Sequence, residues 1–112
     1  MSKVRLINLE QGHPTVEDAM RRMKNDLATA KMSGCKAAIL IHGYGSTGAG
    51  GVIKPAVGKN LKAPGLVGMV KDWVPGENWQ AKRNFFLADC PSLKEHTRHI
   101  DGNKGITIVL LK

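Results

Sequence analysis

The chain has 112 residues, 42% of them apolar, which fits one globular domain with its own core and excludes wholesale disorder. Seventeen Lys and Arg stand against nine Asp and Glu, a formal charge of +8 that favours polyanionic partners in a folded domain. No apolar run approaches the roughly 20 residues that span a bilayer, and Met1-Ser2-Lys3-Val4-Arg5 leads into no secretory signal, so a cytoplasmic setting without membrane contact is expected.

Lys3 to Glu10 alternates as a strand, with Val4, Leu6, Asn8 and Glu10 on one face and Arg5, Ile7 and Leu9 on the other. Thr15 with Asp18 three residues on resembles a capping box. Behind it Val16, Ala19, Met20, Met23, Leu27 and Ala30 recur at helical spacing, and Gly34 supplies a stop, so a helix is predicted over about 15–32. Lys36 to Ile41 is a short apolar run suited to a central strand. Val52, Ile53, Val57 and Leu61 predict a second amphipathic helix over about 51–62, in which Pro55 is awkward outside the first turn.

Leu66 to Val74 reads as a third strand and Pro75-Gly76-Glu77-Asn78 as a turn. Arg83 to Ala88 reads as a returning strand, and Pro91 to His99 as a short helix or ordered loop. Asp101 to Gly105 is a turn, and Ile106 to Leu111 is the final strand. Strands joined through helices imply right-handed crossovers and an α/β fold: one mixed sheet of four strands, or five, with helices packed on it. If the first two strands are parallel neighbours, Glu10 and His42 share the sheet edge where ligands of open α/β sheets bind. Cys35 and Cys90 have no metal-type spacing and are expected to be reduced and inert.

Ile41-His42-Gly43-Tyr44-Gly45-Ser46-Thr47-Gly48-Ala49-Gly50-Gly51 joins the second strand to the second helix. Such a junction places backbone N–H groups and a helix N-terminus at the mouth of a sheet, where phosphate fits. It is not a Walker loop, since Gly50-Gly51-Val52 stands where Lys-Ser or Lys-Thr is required. Gly43 to Gly48 matches G-x-G-x-x-G, but the β-α repeats that the dinucleotide fold needs do not follow. The remaining reading keeps His42: its ring donates to a phosphate oxygen or shuttles a proton, or else only caps the strand. Gly43, Gly45, Gly48, Gly50 and Gly51 let a polyanion approach the main chain, with Ser46 and Thr47 in the same loop. Tyr44 can stack on a base, and Lys54 and Lys59 add unspecific attraction.

The chain here resembles the Smr family, the small MutS-related domains. The resemblance rests on Ile41-His42-Gly43-Tyr44-Gly45, on Gly50-Gly51-Val52-Ile53-Lys54 with Val57 and Leu61, on Thr15-Val16-Glu17-Asp18-Ala19, and on Gly105 to Leu111. It implies a compact two-layer βαβαββ sandwich with two main helices, similar to the C-terminal domain of a translation initiation factor. The whole of 1–112 is then one domain with an extended connection at about 71–103. It also implies binding of DNA or RNA and, in several members, nicking of the phosphodiester backbone. The family's first strand carries Leu-Asp-x-His; here Asn8 stands for the Asp and Glu10 for the His, with His13 displaced. The catalytic candidates are therefore His42 as proton donor or acceptor, Glu10 as substitute base, and Asn8 beside it. The rival reading is a module that binds without cutting, or a protein–protein adaptor.

Two other features stand apart from this motif. Trp79, with Lys82 and Arg83 behind it, offers a stacking platform for bases unless it and Trp73 pack into the core. His96-x-x-His99, within Lys94 to Lys104, lacks a third ligand, so a basic loop touching phosphates is expected rather than a metal site. No cofactor is evident, though a nuclease would call for a divalent cation such as Mg2+. A monomer is expected.

Overall fold

The computed structural model describes residues 3–12, 14–43, 50–66 and 68–112. Tyr44, Gly45, Ser46, Thr47 and Gly48 of the glycine loop, and His13, lie outside the described residues. The elements run β1 (Val4–Asn8), α1 (Val16–Met32), β2 (Ala37–Ile41), α2 (Gly50–Leu61), β3 (Val70–Pro75), α3 (Trp79–Asp89), α4 (Thr97–Ile100) and β4 (Ile106–Leu111). One four-stranded mixed sheet has the order β1-β2-β4-β3, with β1 parallel to β2 and β4 antiparallel to both of its neighbours.

The local signals act as expected at α1 and β4. The Thr15 hydroxyl accepts from the Asp18 amide at 3.1 Å, satisfying one of the orphan donors of the first turn. Ala19, Met20, Met23, Leu27 and Ala30 form the buried stripe, and Gly34, at φ +85°, turns the chain out of the helix. The two central strands are apolar on both faces because both are covered: β4 is buried throughout and β2 at four of its five residues.

Two cores flank the sheet. On one face α1 and α2 pack Met23, Leu27, Ile53, Val57 and Leu61 against Ile7, Leu9, Leu40 and Val109. On the other, Trp79, Phe86, Leu93 and Ile100 pack against Ile39, Val74, Ile108 and Leu110. The two helices of the expected sandwich are present, but the connection folds over the second face and adds a third layer.

Arg83 to Ala88, expected as a strand, is the middle of α3. Adjacent Phe85 and Phe86 suggest opposite faces of a strand in a short window. Over a longer one, Trp79, Phe86 and Leu93 recur every seventh residue and are all fully buried, which is a helical stripe continued into the 3-10 turn Pro91–His96. Phe85 is left 51% exposed. Trp79, offered as a stacking platform, is wholly buried, edge-on to Phe86 with ring centroids 5.8 Å apart. Trp73 is half-buried, under the Lys62 ammonium.

Other boundaries shift for local reasons. Pro64–Leu66 is a 3-10 turn that buries Leu66, so β3 starts at Val70 rather than at Leu66. Pro55 lies inside α2 on its exposed side, leaving the Gly51 carbonyl without its i+4 donor. Val52, expected on the buried stripe of α2, is 55% exposed. Cys35 and Cys90 are unbridged thiols. Among the described residues, no helix is long and apolar enough to cross a membrane.

Gly76, just after β3, packs closely against the chain that leads into β4. A Cβ there would run into the carbonyl oxygens of Asn103 and Ile100. Gly76→Ala is therefore expected to cost about 1–3 kcal/mol of stability through overpacking. Phe86→Ala should cost about 3–5 kcal/mol by opening a cavity in the second core. Urea unfolding of both variants checks the two figures, and a neutral Phe86→Ala would contradict the second helical layer.

Candidate functional site

Parallel pairing of β1 with β2 brings Asn8 level with Ile41, and the Leu9 amide continues the ladder to the Ile41 carbonyl at 2.8 Å. The residues after each strand, Glu10 and His42-Gly43, therefore emerge side by side, as the sequence implies. Antiparallel β4 starts at the same edge, with Ile106 opposite Ile41. The His42 and Gly43 amides both donate to the Gly105 carbonyl, at 2.9 and 3.0 Å. These two amides are thus already satisfied by the protein.

His42 is not at an open mouth. It has no exposed surface. Its Nδ1 lies 2.6 Å from the Gly43 carbonyl oxygen and its Nε2 lies 2.8 Å from the Thr107 hydroxyl. A carbonyl only accepts, so Nδ1 carries the proton, and in the neutral ring Nε2 accepts from Thr107. Burial holds the imidazole pKa below its ordinary value, opposed by the Gly43 carbonyl; Lys54 lowers it further, while Glu10 and Glu77 act the other way. The ring is a neutral latch between the end of β2 and the start of β4. In this geometry neither nitrogen is available to a phosphate oxygen.

Asn8 is also engaged. Its Oδ1 accepts from the amides of Glu10 and Gln11, at 3.0 and 3.1 Å, an Asx turn that bends the chain out of β1. Arg22, from α1, donates to the carbonyls of Asn8 and Gln11 and clamps that turn from behind. Glu10 is exposed, and its carboxylate lies against Gly43, where a Cβ would collide with it. Gly43 takes φ +68°, a second reason for glycine after the histidine. Lys54 is ion-paired with Glu77, which ties α2 to the turn after β3. Gly50 and Gly51 open α2, but Lys59 sits in its last turn, about 13 Å along the axis from Gly50 and away from the edge.

A cleft of about 680 Å3 opens on the second face of the sheet. The layer from α3 to α4 covers β3 and β4 but leaves part of β1 and β2 open. The floor is Leu6, Ile39, Ile41 and Ile106, with Leu6 58% exposed. Glu10, Gly43 and Gly105 line it at the sheet-edge end, and His96, His99 and Asn103 complete the lining, with Asn103 bonded to the Gly105 amide. Sequence reasoning placed His96 and His99 in a separate basic loop; the fold brings them to the same cleft as Glu10. Among the described residues no group of three or more His, Cys, Asp or Glu side chains can hold a metal.

Thr107 and Arg22 were not legible as site residues. The signal for Thr107 was its hydroxyl within an otherwise apolar strand, Ile106-Thr107-Ile108-Val109-Leu110-Leu111. Arg22 carried none beyond its place off the apolar stripe of α1.

A lowered imidazole pKa means that the native state binds fewer protons than the unfolded chain below about pH 6.5. The stabilisation from a neutral His42 is complete above that value and drains away as pH falls from there toward the folded pKa. Thermal melts from pH 7 down to pH 5 should show a larger loss for the wild type than for His42→Gln; parallel curves would contradict the latch. Thr107→Val, which leaves Nε2 without its donor, should cost about 1–3 kcal/mol at neutral pH.

A family model for the Smr domain matches residues 11–112. The fold is similar to the crystal structure of the Smr domain of Thermus thermophilus MutS2, with a TM-score of 0.61 and 19% identity, covering 96% of this chain and 98% of that one. At that identity the likeness speaks for the fold alone. No curated protein matches the sequence. With the family model spanning all but the first strand and its turn, this chain belongs to the Smr domain family.

Proposed function

We propose that this Smr domain is a nucleic-acid-binding module that attracts the phosphate backbone with a surplus of unpaired cations. The observation that carries the reading is the charge, +8 overall. Among the described residues only Arg21, Lys54, Lys71 and Lys82 are ion-paired with acidic side chains. Lys94, Arg98 and Lys104, on the segment that walls the cleft, are exposed and have no acidic partner there. Membership of the Smr family supports the same reading. His42, Thr107 and Asn8 shape the sheet edge rather than touching the ligand, and Gly50 and Gly51 bring the start of α2 to that edge.

A second reading, nicking of the phosphodiester backbone, is favoured by one observation: the exposed Glu10 carboxylate, which has no ion pair among the described residues, lies beside Gly43. In that reading Glu10 takes a proton from the attacking hydroxyl or water as its oxygen bonds to phosphorus, the P–O bond to the departing nucleotide breaks, the departing oxygen takes a proton from solvent, and His42 holds the turn.

Binding should weaken about tenfold to a hundredfold between roughly 50 and 200 mM salt, as expected for two to four phosphates neutralised. Exchanging Arg98 and Lys104 for Glu should weaken binding to every sequence alike and flatten the salt slope by about two. Fluorescence anisotropy with DNA and RNA probes measures both, and salt-independent binding would favour the adaptor reading. A plasmid-nicking assay, with and without magnesium, separates the two readings: nicking abolished by Glu10→Gln supports the second, and no nicking by the wild type leaves the first alone.

A further inference from the structure

We propose that the cleft over β1 and β2 takes one unstacked base of a single-stranded polynucleotide and that Glu10 reads its amino edge, favouring guanine. The inference rests on the nucleic-acid reading and names the form of the ligand. The volume of about 680 Å3 lies within the range of small-molecule sites and holds a nucleoside with room to spare. Its floor of Leu6, Ile41 and Ile106 is apolar, suited to the face of a base and not to phosphate. A base reaches such a place only after leaving its stack, which is least costly in a single strand.

Charge decides which part of the nucleotide goes where. Glu10 stands at the cleft's sheet-edge end, and a carboxylate repels phosphate. Lys94 and Arg98, with Glu95 between them in the chain, flank the lining residues His96 and His99, and these two cations draw the backbone to that segment. A carboxylate accepts hydrogen bonds only, and guanine offers two adjacent donors, N1–H and the N2 amino group, on one edge. Cytosine and adenine offer an amino group alone, and thymine a single imino N–H. The rings of His96 and His99 supply stacking surface beside the base. Asn103 is occupied in joining the His99 segment to Gly105, its Nδ2 donating to the His99 carbonyl at 2.9 Å and its Oδ1 accepting from the Gly105 amide at 2.8 Å.

The test is anisotropy with short oligothymidylates carrying a central guanine, adenine or abasic site, together with methyl NMR of Leu6, Ile41 and Ile106. The guanine strand should bind about tenfold more tightly than the abasic one, with ring-current shifts at the three side chains. Glu10→Gln should remove the preference for guanine, so that the guanine and adenine strands bind with equal affinity, and a guanine preference that survives the exchange would overturn the reading by Glu10. Equal affinity for all strands with unmoved methyl signals would overturn the base pocket and leave the nucleic-acid reading standing. No binding to any strand at low salt would overturn both.

Discussion

The antiparallel pairing of β2 with β4 is the constraint on which this domain depends. β4 is buried throughout and β2 at four of its five residues, and the backbone groups of both are satisfied by strands on either side. Each therefore has to sit at the centre, which pushes β1 and β3 to the edges. The two edges are guarded differently. β3 carries a register irregularity between Val70 and Asp72, the ion pair of Lys82 with Asp72, and a terminal proline. β1 has instead the Asn8 turn at its end and the cleft along its second face.

The His42 latch follows from that central pair. The last residue of β2 and the first of β4 face one another, and the ring that comes next has Thr107 within reach. A neutral imidazole with one donor and one acceptor matches a carbonyl on one side and a hydroxyl on the other. The same burial leaves both ring nitrogens engaged with the protein. The histidine-glycine pair thus shapes the edge, and the exposed Glu10 carboxylate lies beside it.

Much of this was legible because it is local. Thr15 announces α1 through a side chain three residues from its partner amide, and Ile106 to Leu111 announces a central strand by its own composition. The meeting of Glu10 with Gly43 was legible too, since one parallel pairing suffices to predict it. What could not be read is long-range. Thr107 is 65 positions from His42, and nothing near either residue points to the other. The helix α3 was missed because Phe85-Phe86 mimics a strand over six residues, and its buried stripe emerges only when Trp79 and Leu93 are included. With it went the second covering layer and the cleft, because a strand in that place would have provided neither wall.

The position of β4 also sets an order of assembly. It inserts between β2 and β3, which both precede it along the chain, and each of the two flanking cores draws on its side chains. A polypeptide emerging residue by residue can wind α1 and α2 early, but neither hydrophobic layer closes until Leu111 has arrived. Until then β2 lacks its second neighbour and β3 lacks the strand it pairs with, and unpaired strand edges are what make partly folded chains prone to association.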